Sequence, residues 1–158
     1  MPAAGSRRLV LIGAILVAAL TAALSAADGA PRAVVVRDGA GELVTREALP
    51  PQGEFALAYR HSQYGAPARE IFKAQRGGFA LRALSSPSAA VLDYYALDGR
   101  RTRSGGWGRL TLDDPRHYRR LSLIATRTGR RTLVVGERRV PLYESGVRHL
   151  TLTVEGGS

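Results

Sequence analysis

Residues 55–72 read FALAYRHSQYGAPAREIF. From Glu54 to His61 large and small residues alternate. Phe55, Leu57, Tyr59 and His61 fall on one side, and Glu54, Ala56, Ala58 and Arg60 on the other. A period of two is the pattern of a strand whose large-residue side faces a core. Ser62–Pro67 (SQYGAP) has turn composition, and Arg69–Ala74 resumes as a second strand with Ile71 and Phe72 on opposite faces. The two segments predict an antiparallel hairpin. Matching apolar faces predicts Leu57 against Ala74 and Tyr59 against Phe72, because a one-residue slip sets Lys73 against Leu57. In that register His61 lies opposite Glu70, near enough for a hydrogen bond that favours the protonated imidazole.

Working outward, the same signals recur. Upstream, Ala33–Val36 (AVVV) and Glu42–Thr45 (ELVT) flank a glycine-bearing turn and predict another hairpin, and Leu49-Pro50-Pro51-Gln52-Gly53 interrupts regular structure. Downstream, Phe79–Leu84 alternates. Ser85–Ala90 (SSPSAA) reads as a loop before the run Val91–Tyr95 (VLDYY), and Asp98–Gly106 (DGRRTRSGG) reads as an exposed basic loop. Trp107–Leu112 (WGRLTL) alternates and is closed by Asp113-Asp114-Pro115. Leu121–Thr126, Leu133–Val135, Val140–Tyr143 and Leu150–Val154 complete the set. Short strands at even spacing, with no long segment of helical period, predict an all-β antiparallel sandwich or barrel of about nine or ten strands. No helix is expected beyond a hydrophobic one at the N-terminus.

That N-terminal segment has its own character. Arg7-Arg8 precede an uncharged run, Leu9–Ala27, which ends in Ser25-Ala26-Ala27 before Asp28. A basic start, an apolar stretch and small residues form a secretory signal, with cleavage expected before Asp28. The run is also close to the ~20 residues that cross a bilayer, so residues 9–27 are alternatively an uncleaved anchor. Both readings export residues 28–158 as a single all-β domain, periplasmic or otherwise extracytoplasmic. The 158-residue chain has no cysteine, which excludes disulfides, thiolate metal sites and thiol catalysis. Lys+Arg number 23 against 13 Asp+Glu, and Lys73 is the only lysine. Such an excess favours anionic partners in general and by itself specifies none.

The residues that could carry chemistry are few. Tyr59, His61, Ser62 and Glu70 form the one local cluster. His61, Ser62 and Glu70 are the types a base, a nucleophile and an orienting carboxylate would need, but neighbours in a strand point to opposite faces, which separates Ser62 from His61. His61, His117 and His149 lack metal-ligand spacing, so neither a metal nor another cofactor is expected. Gly105-Gly106-Trp107-Gly108 lacks the lysine and the following helix of a phosphate loop, and Trp107 reads as a core or sheet-edge aromatic. Arginines cluster at Arg100-Arg101-x-Arg103, Arg116–Arg120, Arg130-Arg131 and Arg138-Arg139. In an exported protein their expected counter-charge is anionic lipid rather than nucleic acid.

The spacing Phe55-x-Leu57-x-Tyr59-x-His61-Ser62, followed by Pro67-x-x-Glu70-x-Phe72, resembles the signature of a small prokaryotic family of unknown function associated with TAXI-type TRAP transporters. Arg131–Val135 and Leu150–Val154 continue the likeness; Gln63 and Ser88-Ala89-Ala90 depart from the usual Val and Gly-Ala-Gly. The resemblance implies location and partnership: an exported accessory or binding module, without turnover of its own, that contacts a membrane permease component. Two other readings stand beside it, a small hydrolase using His61 and Glu70, and a basic module binding anionic lipid or an envelope polymer. Recognition is expected in the loops Ser62–Pro67, Ser85–Ala90 and Asp98–Gly106.

Overall fold

The computed structural model describes residues 31–157. The export segment read over residues 1–27, with its choice between cleavage and anchoring, lies outside the described residues. Among the described residues there are eleven strands: β1 (Ala33–Asp38), β2 (Leu43–Ala48), β3 (Glu54–Arg60), β4 (Pro67–Gln75), β5 (Gly78–Ser86), β6 (Gly99–Ser104), β7 (Trp107–Tyr118), β8 (Leu121–Ile124), β9 (Thr132–Val135), β10 (Arg138–Pro141) and β11 (His149–Glu155). They form two antiparallel sheets, ordered β2-β1-β11-β8 and β10-β9-β3-β4-β5-β7-β6, and these strands are not closed into a barrel.

The apolar faces that alternation predicts meet in one core. Val34 and Val36 of β1, Leu150 and Leu152 of β11 and Leu123 of β8 join Phe55, Leu57, Phe72, Phe79, Leu84, Leu110 and Leu133 of the larger sheet. At its centre Phe55 stacks on Phe72 at 5.2 Å between ring centroids, and Phe79 stands edge-on to both at 5.5 and 5.6 Å. Offset and edge-to-face contacts of this kind add roughly 0.5–1.5 kcal/mol per pair beyond the area they bury.

Two segments fold otherwise than expected. Val91–Tyr95 lies largely within a helix, α1 (Ala89–Tyr94), which buries Val91 and Leu92 together. Consecutive residues in a strand would point apart, whereas in a helix adjacent positions can share one buried face. Alanines at its start favour the helix, and Ser86 anchors its entrance: the buried hydroxyl donates to the Pro67 carbonyl at 2.8 Å and accepts the Ser88 amide at 3.1 Å. The basic segment Asp98–Gly106 is mostly strand β6, paired along its length with β7 from Gly99↔Leu112 to Ser104↔Trp107. Its side chains are largely exposed, so polarity at an edge strand imitated a loop. Asp113-Asp114-Pro115 does not end β7 but bulges from it: Leu81 pairs with Arg116 and Ala83 with Thr111, leaving Leu112–Pro115 opposite Arg82. A bulge accommodates the proline's missing donor.

Candidate functional site

The β3–β4 hairpin forms, in a register other than the predicted one. Phe55 pairs with Phe72, Leu57 with Glu70, Tyr59 with Ala68 and Arg60 with Pro67. Leu57 therefore meets Glu70 instead of Ala74, and His61 is not opposite Glu70. The displacement is an even number of residues, so every side chain keeps its predicted face. The reason lies in the connection. His61–Ala66 closes on itself, the His61 amide donating to the Ala66 carbonyl at 2.9 Å and the Gly65 amide to the His61 carbonyl at 2.8 Å. Gly65, at φ +62, supplies the left-handed residue of that turn. His61 thus belongs to the loop, and β4 begins at Pro67.

On the inner face, beyond Leu57, the strand pair turns polar. The Tyr59 hydroxyl is hydrogen-bonded to that of Tyr95, which follows α1. The Arg131 guanidinium lies 5.0 Å from the Tyr59 ring centroid and 3.7 Å from the Glu70 carboxylate. Glu70 is only 17 % exposed and Arg131 22 %. Burial pushes the Glu70 carboxyl above its usual range, while Arg131 and the Tyr59 hydroxyl pull the other way. Tyr59 and Tyr95 are raised as well, in both cases chiefly by burial, so both hydroxyls keep their protons at neutral pH. The partner predicted for Glu70 was His61; the structure gives it Arg131.

His61 occupies an aromatic box. It is 5 % exposed, with the Tyr94 ring edge-on at 4.7 Å, Tyr64 tilted at 5.2 Å and Tyr95 edge-on at 6.1 Å. Its buried Nδ1 has no hydrogen-bond partner among the described residues. Among the described residues no hydrogen bond or ion pair joins its ring to Ser62 or Glu70, and Ser62 is exposed. The three residues of the hydrolase reading are therefore close in the chain without forming a relay. Among the described residues no group of three or more His, Asp and Glu converges on a metal position.

The outer face of the same strands carries what sequence reasoning missed. Ala58, Arg60, Arg69, Thr132, Arg139 and Trp107 point away from the core by the registers of β3, β4, β9, β10 and β7. With Arg130 and Tyr143 they line an open cleft of about 590 Å³. Small side chains form its floor and long cations its walls. Arg69 lies over the Trp107 ring at 5.1 Å, a stack that orients the guanidinium without neutralising it. Among the described residues, the ion pairs engage Arg37, Arg46, Arg101, Arg131 and Arg138, so Arg60, Arg69, Arg130 and Arg139 have no carboxylate within 4.0 Å. Among the described residues no acidic residue lines the cleft; Glu144 lies in an adjoining hollow with Arg127 and Arg130. Arg130 also holds a left-handed backbone (φ +48), tied by its amide to the Thr126 carbonyl at 2.9 Å. A non-glycine residue there costs about 1–2 kcal/mol, and such strain collects at sites of use.

Arg130 and Arg139 stand in clusters visible in the sequence. Arg60 and Arg69 are isolated there, and the signal that could have found them is the outward parity of their strands. No protein-family model matches the chain, and no curated protein or solved structure matches it significantly.

Proposed function

We propose that this protein is a non-catalytic binding module, an exported accessory of a TRAP-type transport system, that meets the anionic surface of the membrane carrying the permease with its arginine cleft. The observation that carries this reading is the set of four arginines around one cleft with, among the described residues, neither an ion-pair partner nor an acidic neighbour in its lining. An excess of cation without internal compensation costs self-repulsion that an external anion relieves. Guanidinium groups suit phosphate because their planar donors bind two oxygens at once. Trp107 and Tyr143 add amphipathic rings of the type that settles at the headgroup level. The resemblance in residues 55–72 supports the permease as neighbour. The loop Ser62–Pro67 is a natural contact for it, and β6, not a loop, is the second exposed basic element.

Co-purification of the exported protein with the permease tests the reading. Recovery is expected at low salt, falling as salt rises, and falling again when Arg60, Arg69, Arg130 and Arg139 are all replaced by glutamine. Association indifferent to both salt and the four substitutions, or no association at all, contradicts it. An envelope polymer in place of lipid would show as binding that persists without membranes.

A further inference from the structure

A second recess opens on the core side of the hairpin end, about 290 Å³ in volume, and its chemistry differs from that of the arginine cleft. Its walls are Tyr59, His61, Tyr94 and Tyr95, with Arg131 as the cation, Ser62 and Thr126 as hydroxyls, and, among the described residues, no acidic residue in the lining. Three independent features single it out. First, His61 leaves a buried ring nitrogen unpaired, and a buried polar atom without a partner costs about 1–3 kcal/mol. Second, Arg131 makes no hydrogen bond within 3.5 Å to Glu70, its carboxylate standing off at 3.7 Å, so among the described residues donors of its fixed fork remain open. Third, Tyr64, Tyr94 and Ile124 are exposed at 43 %, 54 % and 54 %, three of the four large hydrophobics so exposed among the described residues. Tyr94 and Ile124 line this recess, and Tyr64 touches its box through His61 and Tyr94. Exposed apolar groups gathered at one opening mark a binding site more often than scattered ones do.

We infer that this recess binds a small organic monoanion, a carboxylate carried on a flat apolar body. The single open fork sets the valence: Arg131, which Glu70 approaches only to 3.7 Å, has donors for one carboxylate. The aromatic rim sets the body, since rings at 4.7–6.2 Å from one another offer faces and edges rather than further donors. The volume sits at the lower end of the range for small-molecule pockets, which limits the ligand to about one ring and its acid group. The carboxylate takes the open donors of Arg131, and the remaining polar atoms of the box fix its orientation. Tyr59 and Tyr95 stay protonated hydroxyls, so neither adds a competing charge.

Benzoate is the probe, with acetate lacking the ring and benzylamine reversing the charge. The readout is the ring-proton NMR signals of His61, Tyr94 and Tyr95, with Trp107 fluorescence reporting separately on the arginine cleft. Benzoate is expected to shift the three rings saturably, with Kd near 1 mM or tighter, while acetate and benzylamine bind at least ~10-fold more weakly. Tyr94→Ala removes an exposed wall without touching the core and is expected to weaken benzoate ~10-fold. Arg131→Lys, which retains the charge beside Glu70 but not the fork, is expected to do the same. Absence of saturation, equal affinity for benzylamine, or a response confined to Trp107 overturns the assignment.

Discussion

The β3–β4 hairpin has two unlike ends on one face. At one, Phe55, Phe72 and Phe79 interlock, with Tyr118 stacked on Phe79 at 5.7 Å, and nothing polar intervenes. At the other, only a few residues along the same strands, Tyr59, Glu70 and Arg131 share a half-buried polar network beside an aromatic box. Both ends are built on the same alternation, yet the three phenylalanines of the first carry no donor or charge and the second has several. Stability resides in the end that leaves nothing unpaired. Recognition is open to the end that does.

The largest expected effect lies at the apolar end. Phe72→Ala removes a ring that is 1 % exposed and packed against three others, and should cost about 3–5 kcal/mol in urea unfolding. Tyr59→Phe, which removes one hydroxyl from the polar end, should cost no more than about 1.5 kcal/mol. Equal costs would erase the distinction between the two ends.

The polar end should be recognised by its pH dependence. Glu70 holds its proton more tightly folded than unfolded, because burial outweighs the pull of Arg131. Its contribution is therefore full below the ordinary carboxylate range and is lost as pH rises through the raised value. Tyr59 and Tyr95 act in the same sense at alkaline pH: raised chiefly by burial, they favour the fold below the ordinary tyrosine range and cease to do so above it. Denaturant titrations against pH should show stability falling in both windows, with Glu70→Gln removing the first fall and Tyr59→Phe reducing the second. Unchanged pH profiles in both variants would mean that the network is solvated.

A smaller effect separates stability from binding on the outer face. Arg130→Gly relieves the positive φ at that residue and should leave the fold unchanged or raise its stability by up to about 1 kcal/mol, while weakening anion binding. A stable variant with undiminished binding would remove Arg130 from the cleft's function.

How much of this was legible follows from which rules act locally. Alternation along Phe55–Arg60 and Leu150–Val154 was sufficient to predict an all-β fold with the correct inward faces, since period two is a property of each strand alone. Register was not, because it depends on how His61–Ala66 closes, and those hydrogen bonds are backbone to backbone. Tyr59 and Glu70 belong to the cluster read from the sequence, but their partners Arg131 and Tyr95 come from just before β9 and just after α1, separations that no local pattern encodes. The arginine cleft was hidden for the same reason. Arg60, Arg69, Arg130 and Arg139 are spread along the chain, and only the strand order β10-β9-β3-β4 gathers them.

The central claim, that the outer face of this hairpin binds an anionic surface, is tested most directly by co-sedimentation with phosphatidylcholine vesicles with and without phosphatidylglycerol, across a range of salt. Each basic residue near such a surface contributes about 1 kcal/mol, and screening shortens its reach to ~8 Å at physiological ionic strength. Binding is expected only with phosphatidylglycerol, to decline with salt, and to fall ~5-fold for each of Arg60→Gln, Arg69→Gln and Arg139→Gln. Binding equal on the two kinds of vesicle, or unaffected by any of the three substitutions, would contradict it.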